Sequence, residues 1–570
     1  MFRWSFRVPR LRSRKPRRRL ILLIGAALLV FAAVPLIYLV TLHWDSNEED
    51  TSSLWPKYAS NGAATFSKAA VAADHALCSE IGKDVLRSGG NAVDAAIAAV
   101  VCAGVVNPQS SGMGGGHLMT IYNRIERRCY VVDAREAAPL ATHRDMFVSK
   151  PEELSRKGWL SIAVPGEVHG LFTAFQRFAS GKVPWSQLLR PSIHLASGGV
   201  AVTRRLADTL SVPSVKQTVE SDPSMSAFIN PATKSVYKEG EVIRRPVLAE
   251  TLEKLASARD PISMFYNSAD FTEEVLREFR EHGDMNLEMC GPPPPSSAAV
   301  AMFALRTLSE FEPNVANRGL TNESLAYHRL VEALKFAYAQ RNELGDMDFV
   351  PEALQLAKRM VTKEYAASTK DKIGPEALSF GEYGGRRGDR KDHGTSHVSV
   401  VDEEGNAVSV SPTINYYLGS QRRSPSTGVV WNDEMDDFSI PGRENMFGFP
   451  PSEANFIAPG KRPMSAMSPI IAYDKDSGEV KFVVGGTGGS KIISAVTNVA
   501  LRALFFKEGL LSAVEKPRLH QQWVPEETSF EDGFPEEFLT DLRRRGQKLV
   551  PSKDEVVSSS VMAILSSTVT

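Results

Sequence analysis

The feature that most restricts this chain lies near its start, where no charged side chain occurs from Leu20 to Leu42. About 20 apolar residues suffice for a helix to cross a bilayer, and hydrocarbon forces a backbone to satisfy its own hydrogen bonds, so this run is expected to be a spanning helix. Ahead of it stand Arg3, Arg7, Arg10, Arg12, Arg14, Lys15, Arg17, Arg18 and Arg19, with no acidic residue among them. Positive charge stays in the cytosol, which predicts a single-pass type II protein of the cell membrane. Residues 1–19 then form a cytoplasmic tail, 20–42 a transmembrane signal-anchor, and the body lies outside the cell. Gly25, Ala26 and Ala27 leave a cleaved signal peptide as the alternative, although no clear small-x-small site with a mature start follows.

An extracellular body sits in an oxidising compartment, yet it carries only Cys78, Cys102, Cys129 and Cys290. That is too few for a disulfide scaffold, and their spacing alone allows three pairings. No C-x-x-C pair or H-E-x-x-H helix gathers ligands, so no metal site is expected. A net charge of −1 over 570 residues excludes a whole-chain polyanion binder, and no nucleic-acid partner is expected. Asn322-Glu323-Ser324 is the one N-glycosylation acceptor tripeptide, marking a candidate glycoprotein.

Residues 43–69 read as a stem, acidic and aperiodic from Asp45 to about Ala59. The pattern becomes globular from Ala70. After Gly89-Gly90-Asn91, the alanine-rich run Ala92 to Val101 has too few charges for a solvated helix and is expected to be buried between layers. A glycine-rich turn, Ser110 to Gly116, then feeds a strand over Leu118 to Tyr122. Two hairpins follow in the second half: Val398–Val401 with Ala407–Val410 around a turn containing Gly405, and Pro469–Tyr473 with Val480–Val484. The second runs into Gly485-Gly486-Thr487-Gly488-Gly489 and a helix predicted over Lys491–Phe506. Backbone N–H groups of such a loop can stabilise negative charge. It is not a Walker loop, because Ser490 separates Gly489 from Lys491, and no G-x-G-x-x-G or G-x-S-x-G motif occurs at the glycine clusters.

His393-Gly394-Thr395-Ser396-His397-Val398 places a glycine-threonine pair at the mouth of the first hairpin. Thr413-Ile414-Asn415, Asn432 to Phe438, Pro463-Met464-Ser465 and Gly485 to Gly489 follow in order, and Asp133 to Pro139 and Ala163 to Gly166 precede it. In this set and order, from about Ala70 to His520, the chain resembles the γ-glutamyltransferase family. The resemblance implies an α+β fold, the αββα four-layer sandwich of N-terminal-nucleophile hydrolases, here preceded by the single N-terminal transmembrane helix. It also implies cleavage between Gly394 and Thr395 by Thr395 itself, giving a large segment 70–394 and a small segment 395–570 interwoven in one domain.

Chemistry explains the residue types. A threonine hydroxyl is a weak nucleophile, and a free α-amine on the same residue, with a pKa of about 7.7–8.0, is suited to act as its base. Cleavage before Thr395 creates that amine. A γ-glutamyl group carries an α-ammonium and an α-carboxylate, which call for anionic groups and a cationic fork. By resemblance, Asn415, Glu434 and Asp437 hold the ammonium, Arg135 and Ser465 hold the carboxylate, Thr413 hydrogen-bonds the nucleophile, and Gly488 and Gly489 form the oxyanion hole. His393 and His397 are read as structural. The resemblance further implies a Cys78–Cys102 disulfide, with Cys129 and Cys290 free or weakly paired, and no cofactor.

The expected activity is hydrolysis of glutathione and related γ-glutamyl compounds, with transfer to water, amino acids or dipeptides through a threonyl acyl-enzyme. Two other readings stand beside it: a different self-processing amidase of the cephalosporin-acylase kind, and a catalytically impaired membrane-anchored homologue. The second is favoured by Ala466, where the family usually has a second serine, and by an abrupt junction between Asp284 and Cys290 where it carries a further segment.

Overall fold

A computed structural model describes residues 65–151, 153–266, 287–311, 320–384, 395–443, 451–552 and 559–566. The expected cytoplasmic tail and membrane-spanning run, most of the stem, and Gly394 lie outside the described residues. Among the described residues, no helix is long and apolar enough to cross a membrane.

Two antiparallel sheets form the centre. The first has strands β1 (Ala70–Ala73), β2 (Gly116–Asn123), β3 (Arg128–Ala134), β5 (Val398–Val401) and β6 (Ala407–Thr413) in the order β1-β5-β6-β2-β3. The second has β4 (Leu287–Cys290), β7 (Ile470–Asp474), β8 (Val480–Thr487) and β9 (Ser560–Leu565) in the order β9-β8-β7-β4. Each sheet therefore takes strands from both sides of position 395. Helices α1 (Ala76–Arg87), α2 (Ala92–Val106) and α3 (Glu167–Phe178) cover the outer face of the first sheet. Helices α4 (Ala298–Ser309), α5 (Leu320–Arg341) and α6 (Lys491–Ala500) build the core outside the second. The result is helix, sheet, sheet, helix.

Local chemistry explains the elements that position the site. Asn91 caps α2 by accepting from the backbone N–H of Val93 and Asp94, and Asp94 accepts in return from the N–H of Asn91. Every residue of α2 is buried, as its alanine-rich composition predicts. The β5–β6 turn is closed by Asp402, whose carboxylate accepts from the Asn406 backbone N–H at 2.8 Å and from that of Ala92 at 3.0 Å, tying the hairpin to the start of α2. Gly405 takes the left-handed φ of +83° that this turn requires.

The sheets meet through a thin, partly polar interface. Thr120 and Tyr122 on β2 donate to the carbonyls of Pro469 and Gly478, while Ser409 on β6 donates to that of Val484. Tyr122 stacks on Tyr473 with ring centroids 4.3 Å apart. One expectation needs correction here. The glycine loop was expected to start at Gly485, but β8 continues to Thr487, with Gly485 and Gly486 paired to Met562 and Val561 of β9. Glycine is required at 485 because an added Cβ would lie 2.2 Å from His397 Cε1. The following helix is α from Lys491 to Ala500 and continues as a π-helical turn from Leu501 to Phe505.

Cys78 in α1 is bonded to Cys102 in α2. Cys129 and Cys290 are also bonded to each other, correcting the expectation that they are free or weakly paired. Their partnership depends on tertiary contact alone, since it joins edge strand β3 of one sheet to edge strand β4 of the other across 161 residues of sequence. Peptide mapping without reductant should recover the Cys129–Cys290 link, and Cys290→Ser should lower stability by about 2–4 kcal/mol. Both cysteines recovered as thiols from protein secreted under oxidising conditions would refute the assignment.

Candidate active site

Thr395 lies at the mouth of β5, 4% exposed, with its hydroxyl 3.4 Å from that of Thr413 at the end of β6. The β5–β6 hairpin brings these two residues together. Thr413 Oγ1 also accepts from the backbone N–H of Asn415, which stands at a left-handed φ of +66°. Asn415 Nδ2 in turn donates to the carbonyl of Asp433. A chain of short contacts thus runs from the threonine hydroxyl to the acidic segment 433–437.

That segment surrounds Arg135, which follows β3. The guanidinium is ion-paired to Glu434 and Asp437 and lies 3.4 Å from Glu136. It also donates to the carbonyls of Pro463 and Met464, placing it beside Ser465. Side-chain exposures of 1% for Arg135, 0% for Glu434 and 6% for Asp437 show that the charges are desolvated. Burial alone would lower the Arg135 pKa, but Glu434, Asp437 and Glu136 outweigh it and hold the residue firmly cationic. One guanidinium does not neutralise three buried carboxylates. Burial accordingly raises Glu434 well above its ordinary value despite Arg135, and pushes Glu136 up to about 8.

The contacts therefore bring together Thr395, Thr413, Asn415, Glu434, Asp437 and Arg135, while Ser465 follows Met464 in the chain with its hydroxyl accepting from the Met467 N–H. Gly488 and Gly489 hold left-handed φ values of +111° and +61° in the turn between β8 and α6. This turn continues the strand on which Gly485 faces His397, two residues from Thr395. The Cys78–Cys102 bond belongs to the helical layer, apart from the cluster. His397 has both ring nitrogens occupied, by Ser411 at 2.8 Å and Ser399 at 3.1 Å, and burial pushes it down to about 3. It is a neutral core histidine.

Several supporting residues were given no role by the sequence. Asn432 Oδ1 accepts from the N–H groups of Ala163 and Glu434, while its Nδ2 donates to the carbonyls of Gly114 and Ala163, fixing the acidic turn to the loops around it. Asn455 Nδ2 donates to the carbonyl of Asp437, and its Oδ1 accepts from the N–H of Met464, which sets the two sides of the pocket in register. Arg462 pairs with Asp133 and Asp346, holding the stretch before Ser465 against β3. Glu136 and Arg462 adjoin expected site residues in sequence. Asn455 adjoins none, and only its fold position reveals it.

The family model for gamma-glutamyltranspeptidase matches residues 78–288 and 284–569. The chain belongs to this family. The two matched stretches meet at 284–288, at the junction already noted in the sequence. Relatives include Scoloptoxin SSD14 of Scolopendra dehaani, 40% identical over 509 residues and covering 85% of this chain and 87% of the relative. Glutathione hydrolase 2 of Arabidopsis thaliana is 38% identical over 529 residues, covering 86% and 89%. Glutathione hydrolase 5 proenzyme of Rattus norvegicus is 34% identical over 523 residues, covering 88% and 89%. Among solved structures, a cephalosporin acylase from Bacillus halodurans superposes with a TM-score of 0.73 at 21% identity, covering 89% of this chain and 96% of the acylase. At that identity the likeness speaks for the fold alone: this chain shares the layered helix-and-sheet architecture of the acylase.

Proposed function

We propose that this protein is a self-processing γ-glutamyltransferase that hydrolyses glutathione and related γ-glutamyl compounds and passes the γ-glutamyl group to water, amino acids or dipeptides. The observation that carries this reading is the buried Thr395 hydroxyl, placed against Thr413 beside the Arg135–Glu434–Asp437 cluster. The names of the plant and rat relatives, a glutathione hydrolase and a glutathione hydrolase proenzyme, support it. The acylase reading has only fold-level likeness behind it.

In the first event Thr395 Oγ1 attacks the Gly394 carbonyl, the peptide bond breaks to give an ester, and water hydrolyses that ester. A carboxylate remains on Gly394 and a free α-amine on Thr395. In turnover, this amine takes the hydroxyl proton as Oγ1 attacks the γ-carbonyl of the substrate. Gly488 and Gly489 N–H groups stabilise the oxyanion. The amine of the leaving group departs with the proton, leaving a γ-glutamyl ester on Thr395, which water or an acceptor amine then resolves. Arg135 and Ser465 hold the substrate α-carboxylate, and Glu434, Asp437 and Asn415 hold the α-ammonium. In the free site Arg135 and the two acids pair with one another, so a zwitterionic ligand, bringing one charge of each sign, exchanges one set of ion pairs for another without changing the net buried charge. An isolated apolar acyl group offers no such exchange.

Thr395 provides the central test. Thr395→Ala should remain one uncleaved chain with no hydrolysis of a chromogenic γ-glutamyl anilide, whereas Thr395→Ser should cleave and turn over more slowly. Intact mass and anilide release measured side by side decide the matter, and cleavage of the alanine variant would point to an external protease. Arg135→Ala and Asp437→Ala should still self-cleave but lose roughly 30- to 1000-fold in kcat/KM, the equivalent of about 2–4 kcal/mol. Wild-type efficiency in both would dismiss the pocket assignment.

For location, we propose that residues 20–42 anchor the protein in the cell membrane with the catalytic body outside, an arrangement supported by the length of the apolar run and the basic residues before it. Membrane fractions washed in high salt should retain the protein and detergent should release it. A basic tail acting alone would let go as salt screens its charge.

A further inference from the structure

Strand β5 presents Thr395, and what holds its first residues is unusual. The ladder between β1 and β5 pairs Ala73 with Val398 and goes no further toward Thr395. Immediately beyond it, Ser396 Oγ donates to Asp74 Oδ2 at 2.5 Å, and the Ser396 backbone N–H donates to the carbonyl of Pro412 at 2.9 Å. The side-chain contact thus takes over where the backbone ladder ends. It reaches from the segment before position 395 to the residue next to the nucleophile.

Asp74 is itself firmly mounted. The Ala73 N–H on one side donates to Ser79 Oγ at 3.0 Å. On the other side His75 caps α1, accepting from the Leu77 N–H, and α1 is bonded through Cys78 to Cys102 of the fully buried α2. The carboxylate is sealed from solvent, with Asn107 as a second hydrogen-bonding neighbour. Burial raises the Asp74 pKa, opposed by Ser396, Arg205, Asn107 and His75. Burying a carboxylate is a cost that stability alone gives no reason to keep.

We propose that Asp74 is a positioning residue for the reaction: by accepting from Ser396 it fixes the Thr395-Ser396 dipeptide once cleavage has made Thr395 a chain terminus. This rests on the proposed role of Thr395 as the freed nucleophile. Before cleavage, the peptide bond to Gly394 limits the motion of Thr395. After cleavage that restraint is gone, and the nucleophile is steadied by Thr413, by the Ser396 backbone and by the Asp74 contact. A nucleophile displaced by about 1 Å can lose on the order of 100-fold in rate, so a contact of this kind governs turnover more than binding.

The test compares processed wild type, Ser396→Ala, Ser396→Thr, Asp74→Asn and the Asp74→Asn/Ser396→Ala double variant on a γ-glutamyl anilide. Ser396→Ala and Asp74→Asn should each lower kcat by ~10- to 100-fold while KM stays within about 3-fold. The double variant should be no slower than the slower single one, because both act on the same contact, the asparagine by removing the carboxylate charge that strengthens it and the alanine by removing the donor, and Ser396→Thr should recover most of the turnover lost in Ser396→Ala. Unchanged kcat, losses that multiply in the double variant, or a threonine variant as slow as the alanine one would each overturn the proposal. If Asp74→Asn does not fold or cleave, the Ser396→Ala and Ser396→Thr pair decides it. A wild type that neither cleaves nor turns over would instead defeat the reading of Thr395 on which the proposal rests.

Discussion

The close meeting of two β-sheets is the constraint on which the rest depends. Sheets usually pack through interlocking side chains about 10 Å apart. Here part of the interface is made by hydroxyl groups of one sheet donating to carbonyls of the other, and by the His397 ring standing where Gly485 has no side chain. His397 is fixed through hydroxyls on its own sheet and carries no charge. The strand that presents Thr395 and the strand that leads into the glycine turn are therefore held to each other at backbone precision. A reaction that needs a nucleophile and backbone N–H donors in fixed relation benefits from such a frame.

The second constraint is electrostatic. Arg135, Glu434, Asp437 and Glu136 lie in a nearly waterless pocket, a grouping that is expensive to desolvate and is weak support for stability. Its surroundings are organised to hold it: Asn432 and Asn455 satisfy backbone groups on either side, and Arg462 braces the wall through Asp133 and Asp346. Such pre-arranged charge suits a ligand carrying both signs at one carbon. It gives little to a neutral acyl group, which separates this site from one that merely shares the fold.

Topology ties both constraints to the same hairpin. Each sheet combines strands from before and after position 395, and Asp402 joins the hairpin turn to the cap of α2. A break in the backbone before Thr395 leaves those pairings in place, because strands from both segments remain neighbours in each sheet. The bond between Cys129 and Cys290 adds a covalent link between the edges of the two sheets.

By itself the sequence determined the elements whose causes are local or whose motifs are distinctive. The buried helix from Ala92 announced itself by composition, the two hairpins by β-branched runs around glycine turns, and the Thr395 and Thr413 pair by family-like motifs at hairpin positions. Tertiary structure decided what depends on distant chain segments meeting. Gly485 and Gly486 read as loop because glycine is rare inside strands, but pairing with β9 makes them strand, with the His397 ring occupying the space beside Gly485. Cysteine spacing left three pairings open, and Cys129 found Cys290 because two sheet edges meet. Asn455 and Asp74 looked like ordinary polar residues, since a side-chain hydrogen bond to another loop, 9 and 18 residues away for Asn455 and 322 for Asp74, leaves no periodicity to read; the fold alone set one against the Arg135 pocket and the other against Ser396.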